Sequence, residues 1–233
     1  MIDSDAPRGG PQVIPYPDKW RECEARSWVV PDDFTLANVE RAVAAYTPRE
    51  LLRGPAVDRP ENPGRKSAVL VAVYDGDDGP TTILTRRPQH MRKHAGEIAF
   101  PGGSHDETDE SMWHTALREA EEEVALDPTL ARRVGEIDRF VTGASFSLVQ
   151  PIVAALDNPP HLKASPDEVD LILHVPLIEL MTPGVYRAEQ WFYNNEWRDM
   201  HYFDLVGETV WGATALMLHN LLEAIRNLVG SKR

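Results

Sequence analysis

Apolar residues in this chain follow two periods, one typical of β-strands and one typical of α-helices. Residues 67–74 form a run rich in β-branched side chains that ends at the turn sequence DGDDGP, and residues 81–85 form a second run just after it. This arrangement predicts a β-hairpin. Comparable runs predict strands over residues 97–100, 134–140 and 151–156, and alternation around Asn194-Asn195 predicts another hairpin over residues 190–197.

Helical spacing predicts three longer helices. Their apolar stripes consist of Leu36, Val39, Val43 and Tyr46, of Ala116, Leu117, Ala120 and Val124, and of Leu216, Leu218, Leu221, Leu222 and Ile225. A short helix is predicted after the first of these, since Thr47, Pro48 and Glu50 supply an N-cap, a first-turn proline and a capping-box acid, and Gly54 can end it. Residues 1–28 are rich in proline and glycine without a period, so an irregular course is expected there.

The composition indicates one globular domain with an extension. The chain has 233 residues, 42% of them apolar, which is enough for a sizeable core. The longest apolar run, residues 68–74, is far shorter than the roughly 20 residues needed to cross a bilayer. The first residues have no basic start and no apolar stretch, so a secretory signal is not expected. A single cysteine, Cys23, excludes an internal disulfide and favours a cytoplasmic location.

Negative charge is concentrated in one segment of the chain. The formal net charge is −13, a poor balance for binding nucleic acid through its phosphates. Residues 104–123 hold eight acidic residues and one arginine, so they contribute −7 of that total. An anionic substrate would approach this segment only after cations had neutralised it. Metal dependence is therefore predicted.

Three glutamates in this segment share one helix face. Glu119, Glu122 and Glu123 are spaced i, i+3 and i+4, so their carboxylates lie within one turn. Like charges at this spacing repel and raise one another's pKa unless a cation binds them. Oxygen ligands of this kind suit Mg²⁺ or Mn²⁺, with further positions left for water and phosphate. The alternative is a solvated acidic helix face.

Neighbouring residues have expected supporting roles. Arg118 is close enough to Glu121 and Glu122 to orient a carboxylate and offset the repulsion. Asp109 is expected to cap the helix. The histidines in this part of the chain show no metal-binding spacing, and they are His90, His94, His105 and His114.

The sequence around these glutamates resembles the Nudix box. Gly103 is followed by an acidic loop and then by REAEEEVAL, and the core of the box is Arg-Glu-apolar-any-Glu-Glu-any-Gly-apolar. Fourteen residues separate Gly103 from Arg118, one more than in the commonest form of the box. Ala125 stands where the box usually has glycine. That change is mild if the backbone there has negative φ.

Residues 84–103, LTRRPQHMRKHAGEIAFPGG, are similar to the additional signature of the coenzyme A pyrophosphatase branch of the Nudix family. That signature is Leu-Leu-Thr-any-Arg, then Arg, then Gly, then Phe-Pro-Gly-Gly at fixed spacing. Ile83 replaces its first leucine and Pro88 replaces a small residue. The matching residues are Leu84, Thr85, Arg87, Arg92, Gly96, Phe100, Pro101, Gly102 and Gly103.

The resemblance implies an enzyme that hydrolyses the phosphoanhydride of coenzyme A or a derivative, giving 4′-phosphopantetheine and adenosine 3′,5′-bisphosphate. Many Nudix enzymes use a further glutamate outside the box, and Glu168 is the candidate here; the general base is Glu122 or Glu168. The expected metal ligands for Mg²⁺ or Mn²⁺ are Glu119, Glu122 and Glu123, and the expected catalytic residues are Glu119, Glu122 and Glu168. The expected substrate-binding residues are Arg87, Arg92, Gly96, Gly102 and Gly103.

The resemblance also implies the Nudix fold, an α/β/α sandwich with a mixed β-sheet, and the order of predicted elements fits it. Residues 1–60 would form an N-terminal extension of irregular chain and short helices, used for packing or for a homodimer, and residues 61–233 the Nudix domain. The expected partner is a small coenzyme A-like nucleotide substrate. Two alternatives remain: hydrolysis of another diphosphate such as ADP-ribose or NADH, and a Nudix module that binds nucleotide without cleaving it.

Overall fold

The computed structural model describes residues 7–24, 26–31, 34–49, 52–53, 64–91, 93–142 and 147–230, with the backbone alone for residues 52–53 and 228–230. The helices are α1 (Leu36–Ala45), α2 (Met112–Val124), α3 (Leu177–Leu180) and α4 (Gly212–Gly230), with a 3₁₀ turn at Pro128–Leu130. The strands are β1 (Trp20–Cys23), β2 (Leu52–Arg53), β3 (Arg65–Gly76), β4 (Gly79–Arg86), β5 (Ile98–Ala99), β6 (Gly102–Ser104), β7 (Ala131–Glu136), β8 (Phe140–Val141), β9 (Ser147–Leu156), β10 (Leu171–Pro176), β11 (Tyr186–Tyr193), β12 (Glu196–Leu205) and β13 (Glu208–Trp211).

Nine of the described strands form a mixed central sheet. Its order is β10-β4-β3-β9-β8-β2, while β5, β6 and β7 pair with β4, β3 and β9. Strands β3 and β9 are parallel, in register from Arg65 opposite Ser147 to Val73 opposite Ala155. Both strands are largely buried, which explains their nearly continuous apolar sequences. The predicted hairpin over residues 67–85 is confirmed as β3 and β4.

Alternate residues of β3 contribute to different helical layers. Ala68, Leu70 and Ala72 belong to the apolar cluster that contains the α2 residues Ala116, Ala120 and Val124. Val71 and Val73 belong to the cluster on the opposite face, whose helical members include Val39 and Val43 of α1 and Leu218, Leu221 and Leu222 of α4. Since side chains alternate along a strand, helices cover both faces of the sheet. The predicted α/β/α architecture is confirmed.

A second sheet has four antiparallel strands in the order β1-β11-β12-β13. The hairpin predicted around Asn194-Asn195 is confirmed as β11 and β12, and both asparagines have positive φ, 48° and 63°. The irregular course predicted for residues 1–28 is wrong at β1, which pairs with β11 from Trp20 opposite Trp191 onward. The partner of β1 is distant in sequence, so no local period marks this strand.

The short helix predicted after α1 is also wrong. Residues 52–53 form β2 and pair in parallel with β8. Buried Asp138 accepts hydrogen bonds from the backbone N–H of Arg49 (2.7 Å), from its guanidinium and from the hydroxyl of Tyr46 (2.9 Å). These bonds hold the chain along the sheet edge. Two of the expected helix signals, Glu50 and Gly54, lie outside the described residues.

The three longer predicted helices are confirmed as α1, α2 and α4. The start of α1 is capped from a distant part of the chain, since the backbone N–H of Leu36 donates to the Asp75 carboxylate (2.9 Å). Within the described part of the chain, no helix combines the length and the apolar character needed to cross a membrane.

Candidate active site

Helix α2 carries the three glutamates between two well-defined ends. It begins after Ser111, whose hydroxyl accepts a hydrogen bond from the backbone N–H of His114 (3.2 Å). It ends at Ala125, which has left-handed geometry with φ 54° and ψ 34°. Alanine is strained in this conformation because its Cβ crowds the following carbonyl. The condition for a mild change at Ala125, a negative φ, is therefore not met.

Asp109 lies in the acidic loop, but it does not cap the helix as predicted. Its side chain is 1% exposed and accepts a bidentate pair of hydrogen bonds from Arg118, at 3.0 and 3.1 Å. The hydroxyl of Thr115 (2.8 Å) and the backbone N–H of Asp106 (3.0 Å) donate to the same carboxylate. The Arg118 guanidinium holds the pKa of Asp109 well below its ordinary range. Sequence reasoning missed this pair, because nothing local marks an acid nine positions before the arginine as its partner.

Arg118 connects the loop with two of the predicted metal ligands. Its guanidinium lies 2.9 Å from a carboxylate oxygen of Glu119 and 3.0 Å from one of Glu122, and it donates to the carbonyl of Ser104 (3.1 Å). The predicted orienting contact to Glu122 is present. Arg118 is thus held by buried Asp109 and in turn restrains the two glutamates.

Glu123 is the most deeply buried of the three glutamates, with only 5% of the residue exposed. Burial raises the pKa of its carboxyl to about 8, while the nearby positive charge of Arg87 opposes that rise. The backbone N–H of Gly102 donates to Glu123 Oε2 (3.3 Å). A Cβ atom at Gly102 would lie 2.5 Å from the carbonyl oxygen of Ala68, so only glycine lets β6 approach β3 this closely.

Glu119 lies beside the second glycine of the turn. Its side chain is 16% exposed, and burial raises its pKa. A Cβ atom at Gly103 would lie 2.4 Å from the carboxyl carbon of Glu119. The Glu119 carboxylate therefore fits beside residue 103 only because Gly103 has no side chain.

The other two predicted catalytic residues, Glu122 and Glu168, are exposed to solvent. The side chain of Glu122 is 54% exposed. Glu168 is exposed too, and its negative charge makes a small contribution to the raised pKa values of Glu119 and Glu123. The loop before β10 that carries Glu168 is fastened to the end of α2, where the backbone N–H of Ser165 donates to the carbonyl of Glu123 (2.9 Å).

The donor set suits a hard divalent cation. Glu119 and Glu123 are carboxylates with pKa values raised by burial, and Arg118 and Arg87 offset their charge only partly. Such oxygen ligands are those that Mg²⁺ and Mn²⁺ prefer. In the side-chain positions of the described residues, no three acidic, histidine or cysteine groups converge closely enough to hold an ion. Glu122 would have to turn from Arg118 to join the other two.

The loop between β4 and β5 carries the predicted phosphate ligands. The backbone N–H of Arg87 donates to the carbonyl of Glu97 (3.0 Å), and that of Gly96 donates to the carbonyl of Arg87 (3.1 Å). Gly96 has φ 71°, which suits glycine. The Nε atom of Arg87 is buried and has no hydrogen-bond partner among the described residues. The second predicted ligand, Arg92, lies outside the described residues.

Comparison with known proteins identifies related sequences. A family model described as the NUDIX domain matches residues 64–192. An uncharacterised Nudix hydrolase, NudL, of Salmonella paratyphi B is 37% identical over 166 residues, which cover 67% of this chain and 81% of that protein. NudL of Salmonella newport matches to the same extent.

Two solved structures are similar at lower sequence identity. A MutT/nudix family protein from Enterococcus faecalis is 16% identical with a TM-score of 0.48, over 75% of this chain and 65% of that one. A NUDIX hydrolase from Alicyclobacillus acidocaldarius is 19% identical with a TM-score of 0.42, over 72% of this chain and 96% of that one.

Proposed function

This chain belongs to the Nudix hydrolase family, and we propose that it hydrolyses the phosphoanhydride of coenzyme A or its derivatives to 4′-phosphopantetheine and adenosine 3′,5′-bisphosphate. The main support is the placement of half-buried Glu119 and buried Glu123 against the Gly102-Gly103 turn. The choice of coenzyme A rests on the match of residues 84–103 to the signature of that branch.

Glu119, Glu122 and Glu123 would hold Mg²⁺ or Mn²⁺. The bound ion would neutralise diphosphate oxygens and lower the pKa of a water molecule. The protein contributes a rigid frame for these carboxylates. Arg118, held by Asp109, restrains Glu119, and the N–H of Gly102 restrains Glu123, while Glu122 would turn from Arg118 to join them. Such preorganisation matters because misplacing a ligand by about 1 Å can cost on the order of 100-fold in rate.

Arg87 would bind a phosphate group of the substrate. Its planar guanidinium suits paired phosphate oxygens. The unpartnered Nε atom supports this role, since a buried donor without a hydrogen bond is costly and a substrate oxygen would satisfy it. Arg92 is proposed to act with Arg87 on the strength of the sequence signature.

The general base would be Glu122 or Glu168, both of which are exposed to solvent and therefore to the attacking water. Glu122→Gln and Glu168→Gln distinguish them. The variant that has lost the base should lose its pH-dependent rise in kcat, whereas the other should keep the shape of the wild-type pH profile. A ligand lost at Glu122 would instead show as a higher metal concentration for half-maximal rate.

A panel of substrates tests the proposed function. Coenzyme A, ADP-ribose and NADH are each incubated with the protein in Mg²⁺, in Mn²⁺ and in chelator, and the products are separated. We expect metal-dependent cleavage with a kcat/KM for coenzyme A at least about tenfold above the others, a difference of about 1.4 kcal/mol. A preference for another diphosphate would contradict the coenzyme A assignment. Nucleotide binding without turnover would contradict hydrolysis altogether.

A further inference from the structure

An N-terminal strap, residues 8–16, crosses the turn between β12 and β13. The backbone N–H of Gly9 donates to the carbonyl of Leu205 (2.8 Å), and that of Gly10 donates to the hydroxyl of Thr209 (3.0 Å). A Cβ atom at Gly10 would lie 2.5 Å from the carbonyl oxygen of Gly207. The strap therefore packs closely against this turn, and its hydrogen bonds fix its course.

Both the nitrogen and the oxygen of the Gln12 side-chain amide form hydrogen bonds. Its Nε2 donates to the carbonyl of Gly96 (3.1 Å) and to Glu208 Oε2 (2.5 Å), and its Oε1 accepts from the backbone N–H of Thr209 (2.7 Å). Both N–H groups of the amide are thus occupied, and its oxygen is satisfied. The bonds join the strap, the second sheet and the loop between β4 and β5.

One branch of these contacts leads to the proposed phosphate ligand. Gly96 accepts from Gln12 through its carbonyl and donates through its N–H to the carbonyl of Arg87. The backbone N–H of Arg87 donates to the carbonyl of Glu97, a few residues before Gly102, whose N–H donates to the Glu123 carboxylate. Gln12 therefore fixes the segment that sets the distance between Arg87 and the buried carboxylate.

The other branch leads to the loop that carries Glu168. Buried Glu208 accepts from Gln12 and from the guanidinium of Arg86. Arg86 also pairs with Asp170 (2.9 Å), whose backbone N–H donates to the carbonyl of Arg86 (2.8 Å). Asp170 follows Glu168 by two residues, so this branch restrains the position of Glu168.

We propose that Gln12 is a positioning residue for phosphoanhydride hydrolysis, holding the Arg87 and Glu168 loops at a fixed distance from Glu119 and Glu123. The inference rests on the proposed function of this site. Gln12 itself bonds to none of these four residues and acts through Gly96 and Glu208. The chain outside the α/β/α sandwich thereby contributes to the substrate site.

Two variants remove the Gln12 contacts in different ways. Gln12→Met keeps an unbranched side chain and loses all three hydrogen bonds. Gln12→Glu keeps an acceptor for Thr209 but places a carboxylate against the carbonyl of Gly96 and the carboxylate of Glu208. Val13→Ala is the matched control, since Val13 is the next residue of the strap and is 87% exposed.

The kinetic test compares each variant in wild-type and Arg87→Ala backgrounds. Because Arg87 would bind phosphate before and during reaction, Gln12→Met should raise KM roughly tenfold through the branch that ends at Arg87. In the Arg87→Ala background the same change should have a clearly smaller effect on KM, since the branch through Gly96 ends at Arg87 and only the branch through Glu208 remains. Equal effects in both backgrounds, or an equal effect of Val13→Ala, would overturn the proposal.

Hydrogen exchange gives a readout that is independent of turnover. The amides of Arg87 and Gly96 should exchange at least about tenfold faster in both Gln12 variants than in Val13→Ala. Unchanged exchange at these amides would overturn the positioning role even if the enzyme is active. Faster exchange in a protein that cleaves no diphosphate would support the control of the loop by Gln12 while contradicting the proposed function.

Discussion

A Cβ atom at Gly103 would lie 2.4 Å from the carboxyl carbon of Glu119, so the second glycine of the turn and the first glutamate of the helix occupy one shared space. Gly103 pairs with Ala68 in the central sheet, and its backbone cannot move away without breaking β6 from β3. The glycine is therefore required by the position of a carboxylate.

Gly103→Ala should displace Glu119 and lower kcat/KM for the diphosphate by roughly 10- to 100-fold, because a catalytic group would shift by a substantial fraction of an ångström. Steady-state kinetics measures the loss. Gly64→Ala is the control, since a Cβ atom there would meet nothing within 4 Å. Wild-type activity in Gly103→Ala would contradict the requirement for this space.

Asp109→Asn removes a buried charge from the bidentate pair with Arg118 and should cost about 2 kcal/mol of unfolding free energy at pH 7. The pKa of Asp109 is lower in the folded than in the unfolded state, so its contribution is present above the unfolded value of 3.8 and is lost as the pH falls below it. The difference in unfolding free energy between wild type and Asp109→Asn, measured by denaturant unfolding, should therefore become smaller as the pH falls from 7 to 3. The control is Glu107→Gln, an exposed change in the same loop, which should leave stability nearly unchanged. A difference in unfolding free energy between wild type and Asp109→Asn that stays constant with pH would contradict the lowered pKa of Asp109.

Ala125→Gly should stabilise the protein by about 1 kcal/mol, since φ at this position is 54° and glycine adopts left-handed geometry without strain. Thermal unfolding would show the gain as a higher Tm. Ala44→Gly, at an exposed position inside α1, is the opposite control and should lose about 1 kcal/mol. A loss of stability in Ala125→Gly would show that the strain at this helix end is absent.

His201 lies in a buried cluster between the second sheet and α4. Its ring stacks on His219 with centroids 4.0 Å apart, and its Nδ1 pairs with the hydroxyl of Tyr186 (2.8 Å). Burial lowers the pKa of His201 to about 3. In the unfolded chain the His201 ring takes up a proton near pH 6.5. The contribution of neutral His201 to the free energy of unfolding is therefore complete above that pH and is lost as the pH falls towards 3.

Wild-type protein should consequently lose about 2 kcal/mol between pH 7 and pH 5 through His201. His201→Phe should be less stable at pH 7, because the Tyr186 hydroxyl loses its partner, yet its stability should change less over this range. Urea unfolding at the two pH values measures both effects. His90→Gln, at an exposed loop position, should keep the wild-type pH dependence; an unchanged dependence in His201→Phe would contradict the assignment.

Elements with a local pattern could be predicted from the sequence. Strands β3 and β4 have a β-branched run on each side of a turn signal, and α2 and α4 have apolar stripes of helical period. Strands β1 and β2 could not be predicted, because each is short and becomes a strand through a partner far away in the chain. Residues 47–49 carried good helix-starting signals, yet the bonds to buried Asp138 decide their course.

The candidate site also has some features that the sequence predicts and others that it does not. Helical spacing places Glu119, Glu122 and Glu123 on one face, and the resemblance points to the glycine turn and to Arg87. The contacts that hold them, from Asp109 to Arg118 and from Gln12 to Gly96, join side chains that only folding brings together. The left-handed geometry of Ala125 was equally hidden, since alanine is an unusual residue for that conformation.

Hydrolysis of coenzyme A with Mg²⁺ by Glu123→Gln and by Glu121→Gln, measured side by side, tests whether the Glu123 carboxylate belongs to the active site. The two residues lie on one helix, but Glu123 is buried in the site and Glu121 is exposed. We expect Glu123→Gln to lower kcat/KM by at least about 1,000-fold and Glu121→Gln to change it less than about threefold, with both proteins folded. Near-wild-type release of 4′-phosphopantetheine by Glu123→Gln would contradict the assignment of this site.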